Sequence, residues 1–374
     1  MLINALAARN VLVTTTIVIL VIGILAVGSS SSFYSMRQNK PDTEYLGKHI
    51  VRVIAGAFMG VAIYFSIKRL GEQFLKKSAI PIYVFSIIAI IATFVFSGTP
   101  YAPEINGSVR WLRFGFNFLP SDLMRLGFVL VAGVLISSGQ LDIRRFRDVF
   151  FIALLAIAPS ILTYFQPDLS GSAFTVFVML VVLFVAGAKF SHLLIIIGTL
   201  LLFGTGAILL KSDYQLDRIR SSIERTSHEQ DGNYQSRQAK ITLGSGGVFG
   251  RGLGQSRQKR GFLPEAHTDF ILAVIGEETG LFGTISVLLL FSILFSSSLW
   301  IARSANSSFS AIVGGGVTAI LIAGVMIHTF VNTGIIPVTG MPLPLISWGG
   351  TAMIVNLSCI GIIAGISKRS VGVK

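Results

Sequence analysis

Of the 374 residues, 52% are hydrophobic and only 13% are charged, and the mean hydropathy is +0.76. That balance excludes a soluble globular domain and points to a chain that crosses a membrane repeatedly, since about 18 consecutive apolar residues suffice for one helical span. The 30 Lys and Arg against 17 Asp and Glu leave a net charge of +13, so a basic surface faces something anionic, either lipid headgroups or a phosphorylated ligand. No nucleic-acid motif accompanies the charge, and the single cysteine, Cys359, can form no intrachain disulfide.

Taken in order, the apolar segments predict an all-α polytopic membrane protein with ten spans: Val11 to Gly28, His49 to Ser66, Ile80 to Ser97, Leu119 to Ser137, Val149 to Phe165, Leu169 to Ala188, His192 to Leu210, Phe270 to Ile301, Phe309 to Asn332, and Leu345 to Ile366. The N-terminal apolar stretch reads as the first span and not as a cleaved signal, because no small-residue cleavage site follows it. Residues 1–374 form one membrane domain, within which residues 211–269 make a long loop between spans seven and eight. An even number of spans puts both termini on one side. Short loops on that side carry Lys68, Arg69, Lys76, Lys77, Arg144, Arg145 and Arg147, which places the termini in the cytoplasm and the long loop outside. The loop lacks the apolar periodicity of a separate core; residues 213–244 read as short amphipathic helices on the membrane surface or as a solvated connector.

The polar residues concentrate between Gly244 and Gly283, where a glycine-rich run precedes Arg251, Arg257, Lys259 and Arg260, then Glu265, His267, Thr268 and Asp269, and then a span. The glycines fit neither common nucleotide-phosphate pattern, leaving a tight turn or a close backbone approach to an anionic ligand. The five histidines have no metal-ligand spacing, and no G-x-S-x-G nucleophile motif occurs. Carboxylate chemistry remains. Asp269 lies at the start of a helical span, where the helix dipole would lower its pKa and where capping is the competing role. Glu265, His267 and the upstream bases are more polar investment than a cap requires.

Elsewhere, Asp122 and Arg125 are three apart and can pair on one helical face. Asp168 reads as a helix cap, and at least one of the adjacent Glu277 and Glu278 faces the bundle interior. Arg110, Trp111 and Arg113 form an interfacial anchor or turn both arginines toward a ligand. Pro337, Pro342 and Pro344 break the backbone ahead of the last span, which is tolerated at membrane depth only where the backbone is buried or lines a cavity.

The pieces RWLRFGFNFLPSDLMR, QPDLSGS, KITLGSGGVFGRGLGQSRQKRGFLPEAHTDFILAVIGEETGLFG and PVTGMPLPLISWGG, in this order, resemble the SEDS family (shape, elongation, division and sporulation) of FtsW and RodA proteins over nearly the whole chain, with a lean to FtsW. The resemblance implies a peptidoglycan glycosyltransferase that polymerises lipid II into glycan strands on the outer face of the bacterial cytoplasmic membrane. It makes Asp269 the catalytic carboxylate, a candidate general base. Arg110, Arg113, Lys259, Glu265, His267, Thr268 and Ser347 become candidates for substrate binding, and Asp122 with Arg125 a structural ion pair. Here Asp and Arg stand where the family usually has Glu and Lys, and Trp348 stands where Tyr is more usual. The implied partners are lipid II, undecaprenyl-pyrophosphate-linked glycan, a class B penicillin-binding protein transpeptidase and other division or elongation proteins, without nucleic acid. A divalent cation, Mg or Mn, with Asp269 as a ligand, is a further expectation. The competing readings are a lipid II flippase and a non-catalytic scaffold.

Overall fold

A computed structural model describes residues 5–37, 41, 43–105, 107–210 and 231–367. The helices are α1 (Ala5–Arg37), α2 (Glu44–Leu70), α3 (Gln73–Val95), α4 (Pro120–Ser137), α5 (Phe146–Phe165), α6 (Leu169–Val185), α7 (Phe190–Leu210), α8 (Asp231–Ser245), α9 (Ile271–Arg303), α10 (Ser308–Thr333) and α11 (Gly350–Ile366). Among the described residues, seven helices are long and apolar enough to cross a membrane; α6, Phe190–Leu202 of α7, and α11 are shorter apolar helices. These ten helices each overlap one of the ten predicted spans, and the chain is an all-α, multi-pass membrane protein. The described residues add one small hairpin between α3 and α4, β1 (Leu112–Arg113) paired antiparallel with β2 (Asn117–Phe118). Of the amphipathic stretch expected over 213–244, α8 is helical, and 213–230 lie outside the described residues.

The last span starts later than predicted, at Gly350 and not Leu345. Pro342 and Pro344 deny the backbone two donors, and Leu345 sits at φ 64°, outside the right-handed helical region. In the centre of the bundle, α10 is buried along most of its length against α4, α6 and α9. Helices α2 and α11 cross in backbone contact: a Cβ on Gly60 would stand 2.6 Å from the Leu357 carbonyl oxygen, and one on Gly361 2.2 Å from that of Gly60. Small residues serve this purpose where lipid offers helices no hydrophobic drive to associate.

Helix α9 is broken at Gly280 (φ 71°, ψ −167°), and the glycine-rich run repairs the break. The amides of Leu281 and Phe282 donate to the carbonyls of Gly247 and Val248 at 2.9 and 3.3 Å, while the carbonyls of Glu277 and Glu278 accept from the amides of Arg251 and Gly252 at 3.0 and 2.9 Å. Backbone groups at a helix break inside a membrane need such partners. The approach leaves no room for side chains, since a Cβ on Gly250 would lie 2.3 Å from the Glu278 carbonyl oxygen. The glycines thus serve neither of the two expected roles alone: they let the backbone pack closely, as in the ligand reading, but against the break in α9.

Both glutamates preceding the break are buried. Glu278 accepts from Lys259 Nζ at 2.9 Å and from Ser29 Oγ at 2.6 Å. Glu277 accepts from Ser256 Oγ and from the Arg257 amide at 3.1 Å, with Arg251 Nε at 3.7 Å. Hence the basic run upstream of Asp269 is partly spent on the fold itself.

Candidate active site

Asp269 stands between two anchored neighbours. Phe270 is fully buried with Ala239, Leu263, Ala266, Val274 and Val331, a satellite core at the start of α9; burial of such a side chain contributes roughly 1.5–3 kcal/mol. His267 is buried against the rings of Tyr34, Tyr45 and Trp348, with centroids 4.9, 5.1 and 5.6 Å away. Between them the backbone is tied from outside: Ser347 Oγ donates to the Thr268 carbonyl at 2.7 Å, and the Trp348 amide to that of His267 at 3.0 Å.

The capping role expected of Asp269 is performed by another residue. The N-cap position of α9 is Phe270, and no side chain at that position caps the helix. Instead Asn332, near the end of α10, accepts from the Ala273 amide at 3.0 Å through Oδ1, and its Nδ2 donates to the Asp269 and His328 carbonyls at 3.0 and 2.8 Å. One amide side chain thus shares the Ala273 N–H of the first turn with the Phe270 carbonyl and holds the Asp269 backbone. The Asp269 carboxylate is released from structural duty. Asn332→Ala removes the side-chain donor to the Asp269 carbonyl and leaves the Ala273 amide only the Phe270 carbonyl, at 3.1 Å, and we expect it to cost about 1–3 kcal/mol, read as a lower thermal unfolding midpoint in detergent.

The electrostatics reverse the expected pKa shift. Burial pushes Asp269 up from 3.8 to about 7, the negative charge of Glu265 adds to the rise, and Arg110 with the Thr268 hydroxyl opposes it. The helix dipole does not dominate, because the carboxylate lies outside the N-cap position and is desolvated by the loop packed around it. A carboxylate with a pKa near neutrality is a far better proton acceptor than an ordinary one. His267, by contrast, is pushed down to about 4 by burial, so it is neutral at pH 7 and serves as an aromatic spacer. Glu265 is exposed and held at φ 49°, and accepts from the Thr268 hydroxyl at 3.1 Å.

Beside this loop opens a cleft with about 680 Å³ of empty space, mouth included, between α4, α6, α10, α11 and the proline-broken segment ahead of α11. Its polar lining includes Arg110, Asp122, Arg125, Asp168, Thr339 and Asn356. Gly340 joins cleft and loop: it lines the cleft, and a Cβ built on it would lie 3.8 Å from Asp269 Oδ2. Arg110 Nη1 is 3.3 Å from Asp168 Oδ1, and Asp168 also caps α6 by accepting from the Gly171 amide at 2.9 Å. Arg125 Nη1 is 2.9 Å from Asp122 Oδ1, with its guanidinium 4.4 Å from the Phe174 ring. This pair is incomplete: Asp122 Oδ2 and Arg125 Nε are buried without partners. Thr339 Oγ1 is likewise unpartnered, so the cleft holds polar capacity for a ligand.

The other predicted site residues fall elsewhere. Lys259 faces inward and spends its ammonium on Glu278 Oε1, Ser29 Oγ and the Gly254 carbonyl at 2.8–2.9 Å, which leaves it no donor for a substrate. The Ser347 hydroxyl is consumed by Thr268 and by the Leu343 amide. Arg113 stays on the exposed hairpin, where Nε donates to Asn117 Oδ1 at 3.3 Å. The structure thus brings Arg110 and the Asp122–Arg125 pair into one cleft, with Asp269, Glu265 and Thr268 on the loop beside it. Sequence reasoning missed Asn332, although an amide within an apolar span was a signal that it must find partners. Among the described residues, no group of three His, Cys, Asp or Glu converges to hold a metal ion.

The chain is 30% identical over 355 residues, 94% of each chain, to a probable peptidoglycan glycosyltransferase FtsW of Geobacter sp. (strain M18). It is 32% identical over 362 residues, 96% of each, to stage V sporulation protein E of Bacillus subtilis (strain 168). Its fold matches a chain of a peptidoglycan synthase complex with a TM-score of 0.76 at 24% identity, over 95% of this chain and 96% of that one. The rod shape determining protein RodA of Thermus thermophilus matches with a TM-score of 0.66 at 24% identity, over 95% of both chains. A family model of cell cycle proteins matches residues 9–371, and the chain belongs to that family, the FtsW, RodA and SpoVE proteins.

Proposed function

We propose that this chain is a peptidoglycan glycosyltransferase that polymerises lipid II at the Asp269 loop and the cleft beside it. The observation that carries the reading is a carboxylate relieved of capping by Asn332 and pushed up to about 7 beside an arginine-lined cleft. Asp269 accepts the proton of the acceptor sugar's 4-hydroxyl as that oxygen bonds to the donor's anomeric carbon. The bond from that carbon to the pyrophosphate oxygen breaks, and undecaprenyl pyrophosphate leaves with the electron pair. Arg110 and Arg125 offset charge on the leaving group, and the ionised Asp269 stabilises an oxocarbenium-like transition state before it takes the proton.

A magnesium ion held by one or two carboxylates and substrate phosphates suits a lone Asp269 near Glu265 better than a full protein cage does. Mg or Mn bound there would neutralise pyrophosphate charge. We place the protein in the bacterial cytoplasmic membrane with both termini inside and Asp269 outside, and its partner as a class B penicillin-binding protein transpeptidase. The test is incubation of the purified chain with labelled lipid II and such a transpeptidase. Glycan strands are expected. Translocation of lipid II across liposomes without glycan would make the chain a flippase and overturn the reading.

A further inference from the structure

Arg52 is a charge inside a membrane span for which neither the bundle nor the cleft has a use. It lies half-buried on α2, its Nη1 is buried without a hydrogen-bond partner, and among the described residues no carboxylate pairs with it. Ionisable groups within spans are costly and face a cavity, a partner or a substrate path. The Trp348 ring lies against it, with its centroid 4.1 Å from the guanidinium carbon. A cation–π contact occupies the flat face of the guanidinium and does not satisfy its N–H edge, where Nη1 is left without a hydrogen-bond partner. That edge matches the paired oxygens of a phosphate.

Trp348 also fixes where this edge stands. Its amide holds the His267 carbonyl, its ring packs on His267, and the preceding Ser347 holds Thr268, so Arg52 borders the loop that carries Asp269. Arg110 acts on Asp269 from the cleft, and Arg52 is not part of that lining. His49, three residues before Arg52, is buried with both ring nitrogens unpartnered, so α2 carries a second unsatisfied polar side chain beside it. Arg110 therefore acts on Asp269 from the cleft, while Arg52 stands behind the same loop on Trp348. Joining two lipid-linked sugars requires two lipid phosphates to be held at once.

We propose that Arg52, backed by Trp348, is a second phosphate subsite, holding the phosphate of one lipid-linked substrate while the Arg110 cleft holds that of the other. This rests on the polymerase reading. The test uses the protein in phosphatidylcholine nanodiscs titrated with undecaprenyl pyrophosphate, which carries no sugar to transfer, and read by native mass spectrometry. Two molecules per chain are expected, and Arg52→Gln should weaken one of them by about tenfold to a hundredfold. Arg52→Lys, which keeps the charge but not the fork, should weaken it less, and it reads the same site if the Gln variant does not fold. Unchanged binding in the variant that folds overturns the subsite. A parallel arm replaces part of the phosphatidylcholine with phosphatidylglycerol; Arg52-dependent retention of that lipid, with undecaprenyl pyrophosphate binding unaltered, would assign Arg52 to bulk headgroups and also overturn it. Glycan synthesis by wild type with unaltered binding in Arg52→Gln removes only the subsite. Loss of one bound molecule in Arg52→Gln, with no glycan from wild type, removes only the polymerase reading.

Discussion

Asp269→Asn should reduce lipid II polymerisation by about 10²–10⁴-fold, the usual contribution of a positioned general base, while the protein still inserts and folds. The asparagine is nearly isosteric and leaves the backbone contacts of Asn332 and Ser347 in place, so the loss reports the carboxylate alone. The same substitution should raise stability, with a definite pH dependence. Asp269 has a folded pKa of about 7 against an ordinary 3.8, so its burial costs nothing below the ordinary value. Stability is lost as pH rises between the two values, because the unfolded chain ionises first, and above about 7 the loss is complete. Thermal unfolding should therefore show Asp269→Asn more stable than wild type at pH 8 and equal to it near pH 4. A variant that loses activity and stability together would instead point to a structural carboxylate.

The second large effect concerns Lys259. Its ammonium is the counter-ion of Glu278, and both side chains are buried, at 7% and 5% exposure. Lys259→Met strands an ionised carboxylate beside the break in α9, and removing one partner of a buried pair costs about 3–5 kcal/mol. Replacing the carboxylate as well, in a Lys259→Met, Glu278→Leu double variant, should recover most of that loss, because a buried pair is worth little against apolar residues of similar size. Thermal unfolding of the two single variants and the double variant gives the coupling directly. If Lys259 bound substrate instead, the single variant would unfold like wild type and lose only affinity.

These two residues also mark how far the sequence was legible. The spans, the position of Asp269 and the Asp122–Arg125 pair depend on local periodicity, local polar density and an i,i+3 spacing. Each can be read from a short window. The duties of Asp269 and Lys259 depend on Asn332 and Glu278, 63 and 19 residues away, and no window joins them. The glycines between Gly246 and Gly252 likewise serve a helix break at Gly280, which looks in sequence like one more small residue in a span. Arg110 was legible only as an interfacial anchor or a ligand-facing residue, and its pairing with Asp168 was not legible, because Asp168 was already accounted for as a cap.

The central claim is that Asp269 works as a base whose pKa burial has raised, and the pH dependence of kcat/KM for lipid II polymerisation tests it most directly. An ascending limb of unit slope that levels off near pH 7 is expected. A rate already on its plateau at pH 5 would show an ordinary carboxylate and contradict it.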